Sequence, residues 1–175
     1  MVRPPPLLVL SCLLASACSG TTTPSSSGGD GFSETCGFTG EMSGGLAAKL
    51  TATACSTSTS AQFSISQADL SAGTSIGVTF SLDKALVGRE TGPVALTELQ
   101  VFQIEKRGAD PLVWTSASCT LTLDKNEPSP TTVFKNRFLL AGRGSCSAEL
   151  TPKAPNTKPT VAVTPFEVRA FVDPR

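Results

Sequence analysis

From residue 36 onward, the chain alternates apolar and polar residues with a period of two. The clearest runs are 76–82, which reads IGVTFSL, and 166–170, which reads FEVRA. This period is typical of half-buried antiparallel strands. Turns rich in Gly, Pro, Asn and Asp separate these runs. We predict strands at about 37–43, 46–54, 61–66, 74–83, 96–105, 112–123, 133–141, 145–150 and 160–172.

Eight or nine short strands of this spacing predict an all-β fold. We expect an antiparallel β-sandwich that forms a single domain over residues 36–175, with a β-barrel as the alternative. The run 99–104 is apolar on both faces, which predicts a central strand or a strand with a bulge. Residues 67–72 suit one helical turn, and no segment carries the caps of a longer helix.

The first 18 residues have the pattern of an export signal. Arg3 precedes an apolar run over 7–17, which is long enough for a signal-peptide core and too short to span a bilayer. The segment LASAC, which ends at Cys18, resembles the lipobox of bacterial lipoproteins, although Ala15 stands where that family prefers Leu. The resemblance implies a signal peptide over 1–17 and a lipid on Cys18.

Two alternatives to this interpretation stay open. Cys12 is a rival for the lipidated cysteine, but it would leave a short apolar core before it. An ordinary secretory signal cut near residue 17 would leave Cys18 as a free thiol. The mature chain is expected to have no transmembrane helix.

Residues 18–35 are predicted to be a lipid-anchored tether. Ser, Thr and Gly dominate this segment, and it offers little apolar surface to offset the entropy of ordering. A flexible chain of this length holds a domain about 20–25 Å from its anchor. In the lipoprotein family the residue after the cysteine influences sorting, and Ser19 rather than Asp implies the outer membrane. The expected partner is therefore the membrane, reached through the lipid on Cys18.

Four cysteines are left for the domain, namely Cys36, Cys55, Cys119 and Cys146. An even number in an exported chain implies two disulfides, for which three connectivities exist. A hairpin that turns at Gly44-Gly45 would be bracketed by Cys36 and Cys55. Cys119 and Cys146 share their strand faces with leucines, so both thiols should point inward. We predict the pairs Cys36–Cys55 and Cys119–Cys146.

The amino-acid composition mainly excludes certain partners and kinds of site. The chain has 14 basic and 14 acidic residues, so its charge gives no reason to expect a nucleic-acid partner. It has no His, which excludes His-based triads and His metal sites. The segment 124–127, DKNE, offers oxygen ligands without the spacing of a calcium loop and is interpreted as turn material. We predict neither a cofactor nor a metal.

Few residues stand out as candidates for chemistry. Trp114 is the only Trp, and it is interpreted either as a core anchor or as a platform on which a sugar stacks. It is out of phase with Cys119, which predicts a bulge or a change of face between them. Four cations fall in one predicted hairpin and are interpreted as charges that protect a strand edge, namely Lys125, Lys135, Arg137 and Arg143.

These observations predict a lipid-anchored protein of the cell envelope that is not an enzyme. Its role would be structural, or it would bind an envelope protein or glycan. The first alternative is a glycan- or peptide-binding domain that uses Trp114 and the adjoining loops. The others are a protease inhibitor that presents a loop at 124–132 and a hydrolase that uses two carboxylates.

Overall fold

The computed structural model describes residues 36–51, 54–59, 61–129 and 137–173. Within these ranges the chain forms thirteen strands and no helix. The strands are β1 (Gly37–Phe38), β2 (Glu41–Gly44), β3 (Ala48–Lys49), β4 (Ala54–Thr59), β5 (Gln62–Asp69), β6 (Thr74–Leu82), β7 (Gly92–Ile104), β8 (Leu112–Ser116), β9 (Cys119–Pro128), β10 (Phe138–Cys146), β11 (Thr151–Lys153), β12 (Val161–Val163) and β13 (Phe166–Val172).

Ten of these strands form one antiparallel sheet. Its main path runs β1-β13-β10-β9-β7-β6-β5-β4, with β8 paired to β7 and β11 paired to β8. The strands β12, β2 and β3 form a second, smaller sheet. In the large sheet β13 packs against β4 and β5, so the two ends of the path come together. The predicted antiparallel all-β fold is confirmed, and the large sheet nearly closes on itself, as in the barrel alternative.

Strand β7 lies at the centre of the large sheet. Its beginning pairs with β9 and its later part pairs with β8, while β6 lies along its other edge. The pairing with β6 shifts register between Ser81 and Leu82. Leu99 and Val101 are fully buried. The prediction of a central strand is therefore confirmed, whereas the irregularity in β7 lies at Thr97, just before the run 99–104.

Four phenylalanines join the two ends of the curled sheet. Phe63 on β5 and Phe80 on β6 stack with ring centroids 4.7 Å apart, and Phe38 on β1 stacks on Phe166 of β13 at 5.2 Å. Phe80 contacts Phe166 at 5.7 Å, which connects the two stacks. Gly144 leaves room for them, because a Cβ at that position would lie 2.4 Å from the ring of Phe166.

Several predicted strand boundaries are wrong. The predicted strand 112–123 is two strands, separated at Ala117-Ser118, where the Ser118 backbone amide donates to the Ser116 hydroxyl. The predicted break between the strands 133–141 and 145–150 is absent, because the single strand β10 runs across it from Phe138 to Cys146. Residues 133–136 lie outside the described residues. The expected helical turn at 67–72 is instead the end of β5 and a tight turn. There Asp69 accepts hydrogen bonds from the backbone amides of Ser71 and Ala72.

The predicted Cys119–Cys146 disulfide is confirmed. The two residues are direct cross-strand partners on β9 and β10. Cys36 is also disulfide-bonded. The side chain of Cys55 lies outside the described residues, so the Cys36–Cys55 pair stays a prediction. The hairpin that this pair would bracket does form, because β2 pairs with β3 through Glu41–Lys49 and Met42–Ala48.

Replacing both Cys119 and Cys146 by Ser should lower the free energy of unfolding by roughly 3–4 kcal/mol. The disulfide closes a loop between residues 27 positions apart, and its loss restores that loop's entropy to the unfolded chain. Urea denaturation followed by the fluorescence of Trp114 measures the change. An unfolding free energy equal to that of the native chain would contradict the expectation.

Candidate functional site

A shallow groove of about 420 Å³ lies on the outer face of the large sheet, over β9, β10, β13 and β1. Two carboxylates and two guanidinium groups line it, together with small residues and one Thr. The lining residues are Asp124, Arg143, Glu167, Arg169, Gly37, Thr39, Ala141, Gly142, Cys36 and Val168. We regard this groove as the candidate functional site because it gathers groups of both charges around an open floor.

Small residues form the floor of the groove. Arg169 on β13 pairs with Gly37 on one side and with Ala141 on the other, so a small residue lies directly opposite it in both neighbouring strands. A Cβ at Gly37 would meet no atom within 4 Å, which shows open space above that residue. A Cβ at Gly142 would lie 2.5 Å from the Thr122 carbonyl oxygen, so the backbones approach closely there.

A β-bulge places Asp124 in the groove. Lys125 pairs with Ala141, whereas Leu123 pairs with Gly142, so Asp124 is the extra residue of β9. A bulge of this kind re-aims the side chains on either side of it. As a result Asp124 and Lys125 are both exposed, and Asn126 returns to the interior.

Asp124 and Arg143 form a bidentate ion pair. Arg143 Nε donates to Asp124 Oδ2 at 3.1 Å, and Arg143 Nη2 donates to Asp124 Oδ1 at 3.0 Å. The hydrogen bonds and charge of Asp124, with a smaller contribution from Glu167, raise the pKa of Arg143. This two-point geometry fixes the plane of the guanidinium group. Arg143 is thereby held as a permanent cation with a defined direction.

Backbone pairing holds the opposite rim of the groove. The backbone amide of Thr39 donates to the Glu167 carbonyl oxygen at 3.1 Å, and the Glu167 amide donates to Thr39 Oγ1 at 2.9 Å. These two bonds continue the β1–β13 pairing past the end of β1. Thr39 and Glu167 therefore belong to the rigid part of the sheet, although both side chains are exposed.

Trp114 does not belong to this site. Its side chain is fully buried, and its indole Nε1 donates to the Pro159 carbonyl oxygen at 2.8 Å. The prediction of a core anchor is confirmed, and the prediction of a sugar-stacking platform is wrong because neither ring face is accessible. The break between β8 and β9 explains why Trp114 and Cys119 are out of phase.

The predicted acidic loop at 124–127 is wrong as well. Residues 124–128 continue strand β9, and the rest of the hairpin, from 130 to 136, lies outside the described residues. The inhibitor loop suggested at 124–132 is thus a strand over its first part. Among the described residues no group of three or more His, Cys, Asp or Glu side chains is placed to hold a metal ion.

The remaining predicted residues differ in their relation to the groove. Cys36 lines it, directly before Gly37. Cys18, the predicted lipid site, and Lys135 lie outside the described residues. Arg137 pairs with Asp173 at 2.8 Å, and Lys125 lies 3.9 Å from Glu127, so both of these described cations are paired with acids.

The sequence pattern does not indicate Gly37, Glu167 or Arg169 as site residues. The alternation FEVRA did indicate that Glu167 and Arg169 point away from the core. Nothing in the sequence shows that β13 lies between β1 and β10, and that order is what brings these residues to Asp124 and Arg143.

A buried polar contact lies behind the groove, at the bulge. Asn126 is 3% exposed, and its Nδ2 donates to Glu90 Oε2 at 2.7 Å. Glu90 belongs to the loop between β6 and β7, and its Oε1 accepts from the Val87 backbone amide at 2.7 Å. This contact attaches the 83–91 loop to the strand that carries Asp124.

The Glu90 contact predicts a pH dependence of stability. Partial burial opposes ionisation, but the backbone amides of Val87, Glu90 and Gly88 and the charge of Lys84 together outweigh it, so the pKa of Glu90 is lowered. Because the folded-state pKa lies below the unfolded one, the ionised carboxylate stabilises the fold above the unfolded pKa. That contribution is lost as pH falls through the folded value.

Glu90→Gln should therefore flatten the decline in unfolding free energy from about pH 5 downward. Urea denaturation of both proteins at neutral and acidic pH measures the two slopes. Equal slopes would show that Glu90 does not titrate differently in the folded and unfolded chains.

Comparison of the chain with family models, with curated proteins and with solved structures found no match. In the part of the chain that the structure describes, no helix has the length and apolar character needed to cross a membrane. The geometry of the groove and the sequence of the chain are thus the basis for a proposal about function.

Proposed function

We propose that this chain is an exported lipoprotein of the cell envelope, anchored through Cys18 at the outer membrane, and that its domain is a non-catalytic binding module. The anchor follows from the resemblance of the segment ending at Cys18 to a lipobox. The binding role follows from the charged groove. The main observation behind the proposal is the Cys119–Cys146 disulfide. A disulfide indicates an oxidising compartment, and the export signal would deliver the domain to such a compartment.

The disulfide supports export for a chemical reason. Disulfides form and persist in oxidising compartments and are rare where thiols are kept reduced. Cys36 is disulfide-bonded as well, so oxidation in the domain is not confined to the Cys119–Cys146 pair. Export through an N-terminal signal would bring the domain into such a compartment, and the signal and the disulfides then support the same location.

The position of the groove suits an anchored binding module. Cys36 follows the proposed tether directly and lines the groove, so the tether would enter the domain beside the site. With about 20–25 Å of reach, a tether of this length would keep a bound ligand close to the membrane surface. A structural module would need no such groove, and we therefore favour binding.

Binding fits the groove better than hydrolysis. A carboxylate hydrolase needs one protonated carboxyl group that is shielded from water. Asp124 and Glu167 are both exposed, and both oxygens of Asp124 accept hydrogen bonds from Arg143. Fixed charges of this kind are suited to orienting a polar ligand.

Labelling with a radioactive fatty acid in the producing cells tests the anchor. The native chain should be labelled and should stay in the membrane fraction, whereas Cys18→Ala should lose both the label and the membrane association. Cys12→Ala is the matched control and should behave like the native chain. An unlabelled native chain, or a Cys18→Ala chain that keeps its label, would overturn the proposed anchor.

A further inference from the structure

We infer that the loop between β6 and β7, residues 83–91, lies on the lipid headgroups of the membrane and inserts Val87 among them. This inference rests on the proposed lipid anchor and names the surface through which the anchored domain contacts the bilayer. Three observations support it, namely the exposure of Val87, the fixed conformation of the loop and its position beside the entry of the tether.

Val87 is unusual in its exposure. In the part of the chain that the structure describes, only two large apolar side chains are strongly exposed, those of Leu70 at 81% and Val87 at 73%. Lys84 and Arg89, on the same loop as Val87, are exposed as well. This combination suits the surface of a bilayer, because the apolar group leaves water there while the long cationic side chains reach lipid phosphates.

The charges of the loop favour a lipid surface over an anionic polymer. Residues 83–91 contain two basic and two acidic residues, so the loop is neutral. A neutral loop gains little from the field of a polyanion. Lipid headgroups with both phosphate and ammonium groups offer partners for charges of either sign, and the apolar contact of Val87 then adds to the binding.

Several contacts hold Val87 in its outward position. Leu86, directly before it, is 4% exposed. The Val87 backbone amide donates to Glu90 Oε1 at 2.7 Å. A Cβ at Gly88 would lie 2.6 Å from the ring of Phe138, so the loop packs closely on the start of β10. Val87 is therefore presented by a rigid support, and its insertion needs no ordering of the loop.

The backbone after Val87 is strained. Gly88 has a φ of 99° and Arg89 a φ of 66°. Of the described residues other than glycine, only Arg89 has a positive φ. Side chains rarely adopt this conformation, and strain of this kind is concentrated at functional sites. The strained turn places Arg89 outside the protein next to Val87.

The loop lies at the end of the large sheet where the proposed tether enters. Asn126, which binds Glu90 of the loop, is level with Leu140 on β10, and Leu140 is level with Ala170 on β13. The register between β1 and β13 places Cys36 level with Ala170 in turn. Three strand spacings thus separate Asn126 from Cys36, which is about 14 Å along the sheet.

Leu70, the other exposed apolar residue, lies at the opposite end of the sheet. It belongs to the turn before β6, whereas the 83–91 loop follows β6, and this strand has nine residues. The two side chains are therefore roughly 30 Å apart. A tether with about 20–25 Å of reach keeps the end that carries Val87 near the bilayer, so even a weak contact there is formed.

Broadening of amide resonances by spin-labelled lipid tests the contact. The probe is a bicelle of phosphatidylcholine and phosphatidylglycerol with a nitroxide on some of the headgroups, and the protein is the full ¹⁵N-labelled chain with its lipid on Cys18. We expect the amides of Val87 and Gly88 to be strongly broadened. The amides of Leu70 and Gly73 at the opposite end should keep their intensity.

Matched variants test the role of each side chain. Val87→Ser should shift the loop about 5-fold or more towards the free state, and Leu70→Ser should not. Arg89→Gly, which keeps the backbone conformation and removes the cation, should weaken the contact about 5-fold. Because Val87, Leu70 and Arg89 are exposed, none of these changes should lower the Tm.

Equal broadening at the two ends of the sheet, or unchanged broadening in Val87→Ser, would overturn the inference. So would the absence of broadening at Val87 in a chain that carries the fatty-acid label, and that result would leave the anchor standing. A chain without the label would instead refute the proposed anchor and, with it, the contact.

Discussion

The large sheet depends on the aromatic contact that joins its two ends. Phe80 and Phe63 come from β6 and β5, near one end of the path, and Phe38 and Phe166 come from β1 and β13, at the other. All four are buried, and Phe80 contacts both Phe38 and Phe166. Burying these rings against each other removes from water a large apolar area that a flat sheet would leave exposed on one face.

The outer groove is a consequence of this closure. Phe38 is the inward residue of the two-residue strand β1. It is buried in the core where β1 pairs with β13. Gly37, next to it, then faces outward and opens the floor. The bulge at Asp124 completes the site, because it turns one more acidic residue outward beside Arg143. The buried phenylalanines therefore lie on the inner face of the large sheet, and the bulge acts on its outer face.

Local pattern predicted much of the fold. The alternation over 76–82 matches β6, and the alternation over 166–170 matches β13. The inward phase of Cys119 and Cys146 led to the correct disulfide. Each of these features depends on residues that are close in the sequence. The two-residue period of apolar positions therefore indicates them directly.

The candidate site could not be predicted in the same way. The bulge exists only relative to β10, and the sequence DKNE is equally suited to a turn. The separation of β8 from β9 depends on their different partners, since β8 pairs with β11 and β9 with β10. The groove also needs β13 between β1 and β10, which joins residues more than 100 positions apart. Such pairings follow from the whole packed chain and leave no local signal.

A double-mutant cycle between Phe80 and Phe166 tests the closure of the sheet most directly. The free energies of unfolding of the native chain, Phe80→Leu, Phe166→Leu and the double variant give the coupling between the two rings. If the two ends of the sheet meet as described, the coupling energy should be about 0.5–1.5 kcal/mol in favour of the native pair. Additive effects, with a coupling within about 0.3 kcal/mol of zero, would show that the rings do not touch and would contradict the closure on which the groove depends.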